Sequence, residues 1–503
     1  MASLSLPRIF VSCLVSSFVF ILTRRYWRLK GINGPLLAAF TDLWRARIQY
    51  FGPFVPTLLK LHEKYGAIVR IGPNTVSFSD PAYIGVVGSA RGGFAKADSY
   101  GAMRGFVNGK SVGSIIDMQD EEKHRAIKRA VGNAFITKSM LDYQGDVDVV
   151  LDALLRNIRT HRLGSPFDLN DLMQLFQLDF LLKIAFGENS GHLDSDRDVS
   201  GMAKVLYKRI MHWYAWQPLP NLERFIFQNP LWSRFFVQPS KWARAGAMRV
   251  EARREQIKQG LVASEGPRDL LQKYLDASEK HPDIVRPEII SWLVNSTISA
   301  GADTTSGTLT TALYLLLKHP RVHAKLLREL CEARDAGRLS FPIRYAMVEH
   351  LPYLDAVIKE AMRLNAPLAV PLERVVPLQG CFLGDVYLPG RTVVACAPYV
   401  IHQNKECFGE DVAEFRPERY LEKKGADLLA MEKANLAFGL GSRICIGRHI
   451  ADLEMKIVLP SLLMMFDFKL VNPDFDVPFD LGIFEMELNP ITVTVSERVF
   501  HGK

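Results

Sequence analysis

Cysteine is scarce in this chain: six residues in 503, at positions 13, 331, 381, 396, 407 and 445, with no C-x-x-C pair and no compact framework. Such usage excludes a disulfide scaffold and a structural zinc site, and it points to a reducing compartment. No Ser/Gly/Pro-rich linker is visible between residue 31 and residue 503, so these residues read as one large catalytic unit although length alone would suggest three domains. Charge of one sign is also missing as a block: 62 Lys and Arg face 54 Asp and Glu, net +8, and the two signs interleave. That pattern describes a solvated surface. Its basic excess suits anionic membrane lipid or an acidic electron-transfer partner and not nucleic acid. With 48% hydrophobic and 23% charged residues, the chain can bury a large core.

One uncharged, mostly apolar run stands out at residues 9–22 (IFVSCLVSSFVFIL), followed by Arg24, Arg25, Arg28 and Lys30. A span needs about 20 residues, somewhat fewer in the thinner endoplasmic reticulum bilayer. The expected span therefore recruits residues 4–23, with Pro7 in the first turn and Arg8 snorkelling. The charges follow the run and no A-x-A site succeeds it, which favours a retained anchor over a cleaved signal peptide. The positive-inside rule leaves the basic flank and all that follows on the cytosolic face. Residues 1–30 are thus expected to be a membrane anchor with a basic flank, and residues 31–503 the catalytic domain, on the endoplasmic reticulum membrane.

Residues 31–35 (GINGP) read as a hinge and 36–65 as helix. Residues 67–71 and 75–79 flank Gly72-Pro73-Asn74, which is turn chemistry between two short strands. Residues 98–116 lack a helical period and are expected to form a loop over the active site. From 120 to 264 the pattern is helical. Within it, residues 207–216 (YKRIMHWYAW) suit a ligand channel or membrane interface better than a nucleic-acid stacking surface.

Three stretches carry chemistry. In residues 438–447 (FGLGSRICIG), Cys445 sits among glycines; a lone cysteine is commonly a small buried hydrophobe. Here Gly439, Gly441 and Gly447 permit close approach to a flat ligand, Arg443 offers a fork for a carboxylate, and Phe438 can shield the sulfur. That is the set a haem-ligating thiolate needs. Residues 289–318 form a long apolar helical run interrupted by SAGADTTSGT at 299–308. Gly301 costs about 1 kcal/mol against alanine and hydroxyls can bond back to carbonyls, so the stretch is not chosen for helix stability. A local widening there would hold a diatomic ligand and water. Asp303 and Thr304 supply an acid and a hydroxyl in series, a path for protons; a mere polar patch at a helix bend is the alternative. In residues 353–365 (YLDAVIKEAMRLN), Glu360 and Arg363 share one helix face. The same E-x-x-R spacing recurs at Glu122/Arg125, Glu251/Arg254 and Glu265/Arg268, where surface pairs are expected. A buried pair needs a third partner, and residues 415–420 (FRPERY) supply Arg419 after a proline bend.

AGADTT at 300–305, EAMR at 360–363, FRPERY and FGLGSRICIG, in this order, resemble the cytochrome P-450 monooxygenases, and the resemblance covers nearly the whole chain. It implies a mainly α fold with a small β-rich region behind an N-terminal anchor helix, and haem b between the Asp303 helix and the Cys445 loop. By that likeness Cys445 is the proximal thiolate, Phe438 packs against it, Gly439 and Gly447 lie against the haem, and Arg443 and Arg374 meet propionates. Glu360, Arg363 and Arg419 form the core ion network. His124 and Lys128 stand where many members carry Trp and Arg; both can donate to a carboxylate, but a single ammonium lacks the bidentate fork. The implied reaction inserts one oxygen atom of O2 into a hydrophobic small molecule, with electrons from NADPH through NADPH-cytochrome P-450 reductase and protons through Asp303 and Thr304. Residues 100–115, 207–216, 366–372 and 481–484 occupy positions that line the pocket in the family. Phrases such as YGAIVRIGPNTVSFSDP look most like fungal members related to pisatin demethylase and benzoate hydroxylase, which leans towards secondary metabolite biosynthesis. Two rivals share the cofactor: a same-fold enzyme that rearranges or dehydrates without external O2, and a non-catalytic haem-binding sensor. The Asp303-Thr304 pair speaks against both.

Overall fold

The computed structural model describes the chain except for residues 1–5, 108–109, 230, 232–240, 262–268, 479–488 and 500–503. The 481–484 stretch and the Glu265/Arg268 pair therefore lie outside the described residues.

Helix α1 (Leu6–Arg28) keeps Phe10, Leu14, Phe18 and Phe20 exposed, and its residues Ile9–Arg28 are long and apolar enough to cross a bilayer. The helix runs on through the basic flank, whose last turn docks onto the body of the protein. Arg70 reaches the carbonyls of Arg25 (2.5 Å), Tyr26 (3.0 Å), Ala39 (3.2 Å) and Pro73 (2.9 Å). Leu29 and Ile32 are buried, so residues 31–35 form a docked turn where the sequence read a hinge. The helix expected over 36–65 is broken into a 3-10 turn (Leu36–Ala39), α2 (Leu43–Phe51) and α3 (Phe54–Tyr65). The second break falls at extended Gly52 before Pro53, a residue pair that disfavours helical continuation.

Strands β1 (Ile68–Gly72) and β2 (Thr75–Phe78) pair as the expected antiparallel hairpin. Strand β3 (Ala95–Lys96) follows. Residues 98–116 are more ordered than a bare loop: they hold a 3-10 helix (Asp98–Met103) and the small hairpin β4 (Gly105–Val107) and β5 (Lys110–Val112). The 3-10 segment buries Tyr100 and Ala102, which explains its order in the absence of a helical period. Next come α4 (Glu121–Val131), β6 (Phe167–Asp168), α5 (Leu169–Phe186), α6 (Met202–Trp216), α7 (Ile290–Lys318) and α8 (Pro352–Leu364). Strands β7 (Leu372–Val375), β8 (Cys381–Leu383), β9 (Val386–Leu388) and β10 (Val393–Cys396) precede α9 (Arg448–Met465), and β11 (Phe466–Leu470) and β12 (Thr492–Glu497) pair near the C-terminus.

The main sheet has the order β1-β2-β10-β7-β3, with only β2 and β10 parallel. Its register sets Lys96 opposite Arg374. The core lies between α5, α7 and α9. Helix α5 is buried nearly all round, which is why its apolar residues show no single stripe; each fully buried leucine there is worth about 1.5–3 kcal/mol. Helix α7 is continuous through the SAGADTTSGT stretch, which interrupts its apolar pattern but not the helix. Its hydroxyls bond back one turn: Thr297 to Leu293, Ser299 to Asn295, Thr304 to Ala300, Ser306 to Ala302 and Thr308 to Thr304. Gly301 serves helix approach, since a Cβ there would come within 2.9 Å of Leu181 on α5.

The ion network is buried. Arg363 Nε and Nη2 donate to the two Glu360 oxygens at 2.7 and 2.8 Å, and Arg419 Nε donates to Glu360 Oε1 at 2.9 Å. The remaining guanidinium donors reach carbonyls of His402, Val412 and Asp411, so the desolvated charges are met by hydrogen bonds. Glu251 and Arg254, at the same spacing, meet at 2.6 Å on the surface.

Candidate active site

A deep cavity of about 270 Å³ lies between α7 and the 438–447 loop. The loop's shape follows from two glycines. Gly439 has φ +81°, and Gly441 has φ +56° with its α-carbon against the chain at Gly88, whose carbonyl oxygen would lie 1.8 Å from an added Cβ. Ser442 N–H donates to that same carbonyl at 3.1 Å, and Cys445 N–H donates to Phe438 O at 2.8 Å. The turn closes on the N-terminus of α9, and Cys445 stands open to the cavity although it lies deep in the fold. Burial pushes its thiol up; the N–H groups of Gly447 and Arg448 and the charges of Lys128 and Arg448 oppose that. A helix N-terminus behind a sulfur favours the thiolate. Gly447 has φ −82°, and a Cβ there would sit in ordinary contact with the sulfur at 3.8 Å, so neither backbone conformation nor a clash with the protein requires glycine here.

Nearly all of the sequence-predicted residues meet here. Cys445, Phe438, Gly439, Gly447, Arg443, Arg374, His124, Lys128 and Thr304 line the cavity. Asp303 does not: its carboxylate accepts from Gln174 of α5 at 3.3 Å, one residue round the helix from the Thr304 hydroxyl. Thr304 donates to Ala300 O at 2.8 Å. Of the segments expected to line the pocket, residues 100–115 contribute Tyr100, Met103 and Ile115, residues 207–216 contribute Trp213, and residues 366–372 contribute Pro367, Leu368 and Leu372.

The cations gather at one side. Arg443 Nε donates to both Glu121 oxygens at 3.0 Å, while its Nη1 is buried without a partner. Arg374 donates to Tyr100 Oη at 3.3 Å and to Glu373 O at 2.9 Å. Burial, then Arg443 and Lys128, push His124 down to about 3, so it stays neutral. Lys128 Nζ donates to Ile444 O at 2.6 Å and Ser442 O at 3.2 Å.

Sequence reasoning passed over Lys96 and Glu454. Lys96 is buried on β3, bonds Ile116 O and lies 4.2 Å over the Tyr100 ring; burial and then Arg374 and Arg443 push its pKa well down. Only its pairing opposite Arg374 reveals it, and pairing is a tertiary fact. Glu454, fully buried on α9, accepts from Gln177 at 3.2 Å, and burial raises its pKa well above the carboxyl range, so it is a neutral acid. Its position nine residues after Cys445 on a helix was the available signal.

Fold and cavity together define a class: a mainly helical enzyme that sets one cysteine, a threonine and a cluster of cations around a largely apolar chamber. The family model for cytochrome P450 matches residues 44–490. A cytochrome P450 monooxygenase of Aspergillus terreus is 34% identical over 477 residues, 92% of this chain and 94% of that protein. Another, from Aspergillus flavus, is 32% identical over 458 residues, 90% and 89% of the two chains. The cytochrome P450 monooxygenase cicH of Emericella nidulans is 32% identical over 471 residues, 93% and 94%. This chain belongs to the cytochrome P450 monooxygenase family.

The family implies a haem-thiolate centre, and the residues present fit one. A flat apolar group with two carboxylates needs an open thiol on one face, apolar walls and unspent donors at one edge. Cys445 supplies the first, and the orphaned Arg443 Nη1 with Arg374 and Lys96 supplies the last. The one carboxyl group lining the cavity among the described residues, Glu454, is neutral and adds no repulsion.

Proposed function

We propose that this chain inserts one atom of O2 into a hydrophobic small molecule of fungal secondary metabolism, with haem b held by Cys445. Electrons come from NADPH by way of a separate NADPH-cytochrome P-450 reductase. The observation that supports this most is that Cys445 and Thr304 line one largely apolar cavity from different elements, the 438–447 loop and α7. Bound there, the haem supplies the activation of O2 and the redox chemistry. The chain supplies the rest. Gly447 and Arg448 N–H groups hold the Cys445 sulfur, and Arg443, Arg374 and Lys96 form the polar edge. Met103, Ile115 and Leu368 keep water from the substrate's carbon skeleton. The Thr304 hydroxyl, satisfied by Ala300 O, turns by rotation about χ1 to present its proton to the cavity. Asp303, tethered to Gln174 outside the cavity wall, is placed to take up a proton and reload it.

Thr304→Ala is expected to separate NADPH consumption from product, lowering product per NADPH by about tenfold or more while electron uptake continues. An unchanged ratio would remove Thr304 from proton handling. The direct test of the reaction class is turnover with reductase and NADPH on a set of apolar fungal metabolites, with O2 uptake followed; product without O2 uptake defeats the proposal.

We also place the catalytic domain on the cytosolic face of the endoplasmic reticulum membrane, held by α1, whose apolar residues are exposed and whose basic residues follow them. A glycosylation acceptor added ahead of residue 1 should be modified in microsomes, and one added after residue 503 should not. The reverse pattern overturns the orientation.

A further inference from the structure

Helix α4 presents Glu121, His124 and Lys128 on one face, at spacings of three and four residues. That face covers the cysteine loop. Glu121 takes Arg443, and His124 lines the cavity as a neutral ring. Lys128 does something different. Its ammonium lies against the loop backbone, donating to the carbonyls of Ile444 at 2.6 Å and Ser442 at 3.2 Å, one and three residues before Cys445. No carboxylate of the described residues forms an ion pair with it. Two of its three donors are spent on the loop. Meanwhile Lys96, Arg374 and the unspent Arg443 Nη1 line the same cavity and remain for carboxylates.

We propose that Lys128 is a positioning residue for Cys445, clamping the carbonyls of its loop and holding a positive charge against the backbone that carries the thiolate, and is not a propionate ligand. The proposal rests on the haem-thiolate reading of Cys445. Two effects are separable. The hydrogen bonds hold the turn that aims the sulfur. The charge draws electron density back from it, because a cation held against the ligand's own loop in a part-buried site is less screened than one in water.

The test compares Lys128→Met, Lys128→Gln and Lys128→Arg with the wild-type holoenzyme by three readouts: the rate at which the red-shifted band of the reduced carbon monoxide complex decays to the unshifted form, the Fe–S stretch in the ferric resonance Raman spectrum, and the ferric/ferrous midpoint potential. Lys128→Met should speed the decay at least several-fold, raise the Fe–S frequency and move the potential negative. Lys128→Gln, which keeps a donor but not the charge, should slow that decay back towards wild type while retaining the other two shifts. Lys128→Arg should restore all three. Lys96→Met serves as the comparator for loss of an edge donor: it should weaken haem retention and leave the Fe–S frequency in place. If Lys128→Met and Lys128→Gln lose haem as Lys96→Met does, with decay rate and Fe–S frequency at wild-type values, Lys128 is a propionate ligand and the proposal fails. A wild-type protein without the red-shifted band would instead defeat the haem-thiolate reading itself.

Discussion

Cys445→Ala is expected to abolish the red-shifted Soret band of the reduced carbon monoxide complex and all product formation. Among the described residues no other cysteine lines the cavity. Cys396 is fully buried in β10, and Cys381 and Cys407 lie outside the cavity lining. Cys13 lies on α1. No second thiol can therefore take over by a modest shift of backbone. The variant should still fold, because the loop is held by the Cys445 N–H to Phe438 O bond, the Ser442 N–H to Gly88 O bond and the Arg443–Glu121 pair, none of which uses the sulfur. Far-ultraviolet circular dichroism should be unchanged while the spectrum of the carbon monoxide complex is lost. Cys396→Ala is the control and should keep the band. Retention of the band in Cys445→Ala would sink the assignment of the site.

The second large effect is structural. Glu360→Ala should cost about 3–5 kcal/mol, because it strands two buried guanidiniums and the Arg416 N–H that donates to Glu360 Oε1 at 3.1 Å. Against a total stability of about 5–15 kcal/mol, that is enough to remove most folded protein at growth temperature. Glu251→Ala deletes a carboxylate at the same sequence spacing and should change stability by less than about 1 kcal/mol, since the Glu251–Arg254 pair is solvated. Thermal unfolding and yield of haem-loaded protein measure both. Equal effects of the two substitutions would mean that burial is not what distinguishes them.

That contrast also marks what could be read without coordinates. The cysteine loop, the α7 threonines and the buried Glu360 network were legible because each depends on residues close in sequence or on a motif that fixes their order. What escaped depends on pairing across long separations. The Lys96–Arg374 neighbours on β3 and β7 are one example. The buried Arg45–Glu373 pair is another: the two meet at 2.5 Å from α2 and β7, with Gln217 at the end of α6 accepting from Arg45 at 2.9 Å. Residue type alone assigns Arg45 to the surface, and only the fold supplies its partners. In α7 the expected bonding of hydroxyls back to carbonyls is present, while the partner of Gly301 was not legible. Gly301 is poor helix material in isolation, but close packing against Leu181 rewards its missing side chain, and the hydroxyls find acceptors one turn back.

Arg70 gives the chain a mechanical property. By gathering carbonyls from the last turn of α1, from the 3-10 turn after it and from its own hairpin, it welds the end of the apolar helix to the edge of the main sheet. Were α1 to cross a bilayer, the rest of the chain would be a rigid flag on a pole and not a balloon on a string, and its tilt above the lipid would follow the tilt of α1. Arg70→Ala would loosen that weld and free the body to swivel while leaving the cavity's chemistry intact.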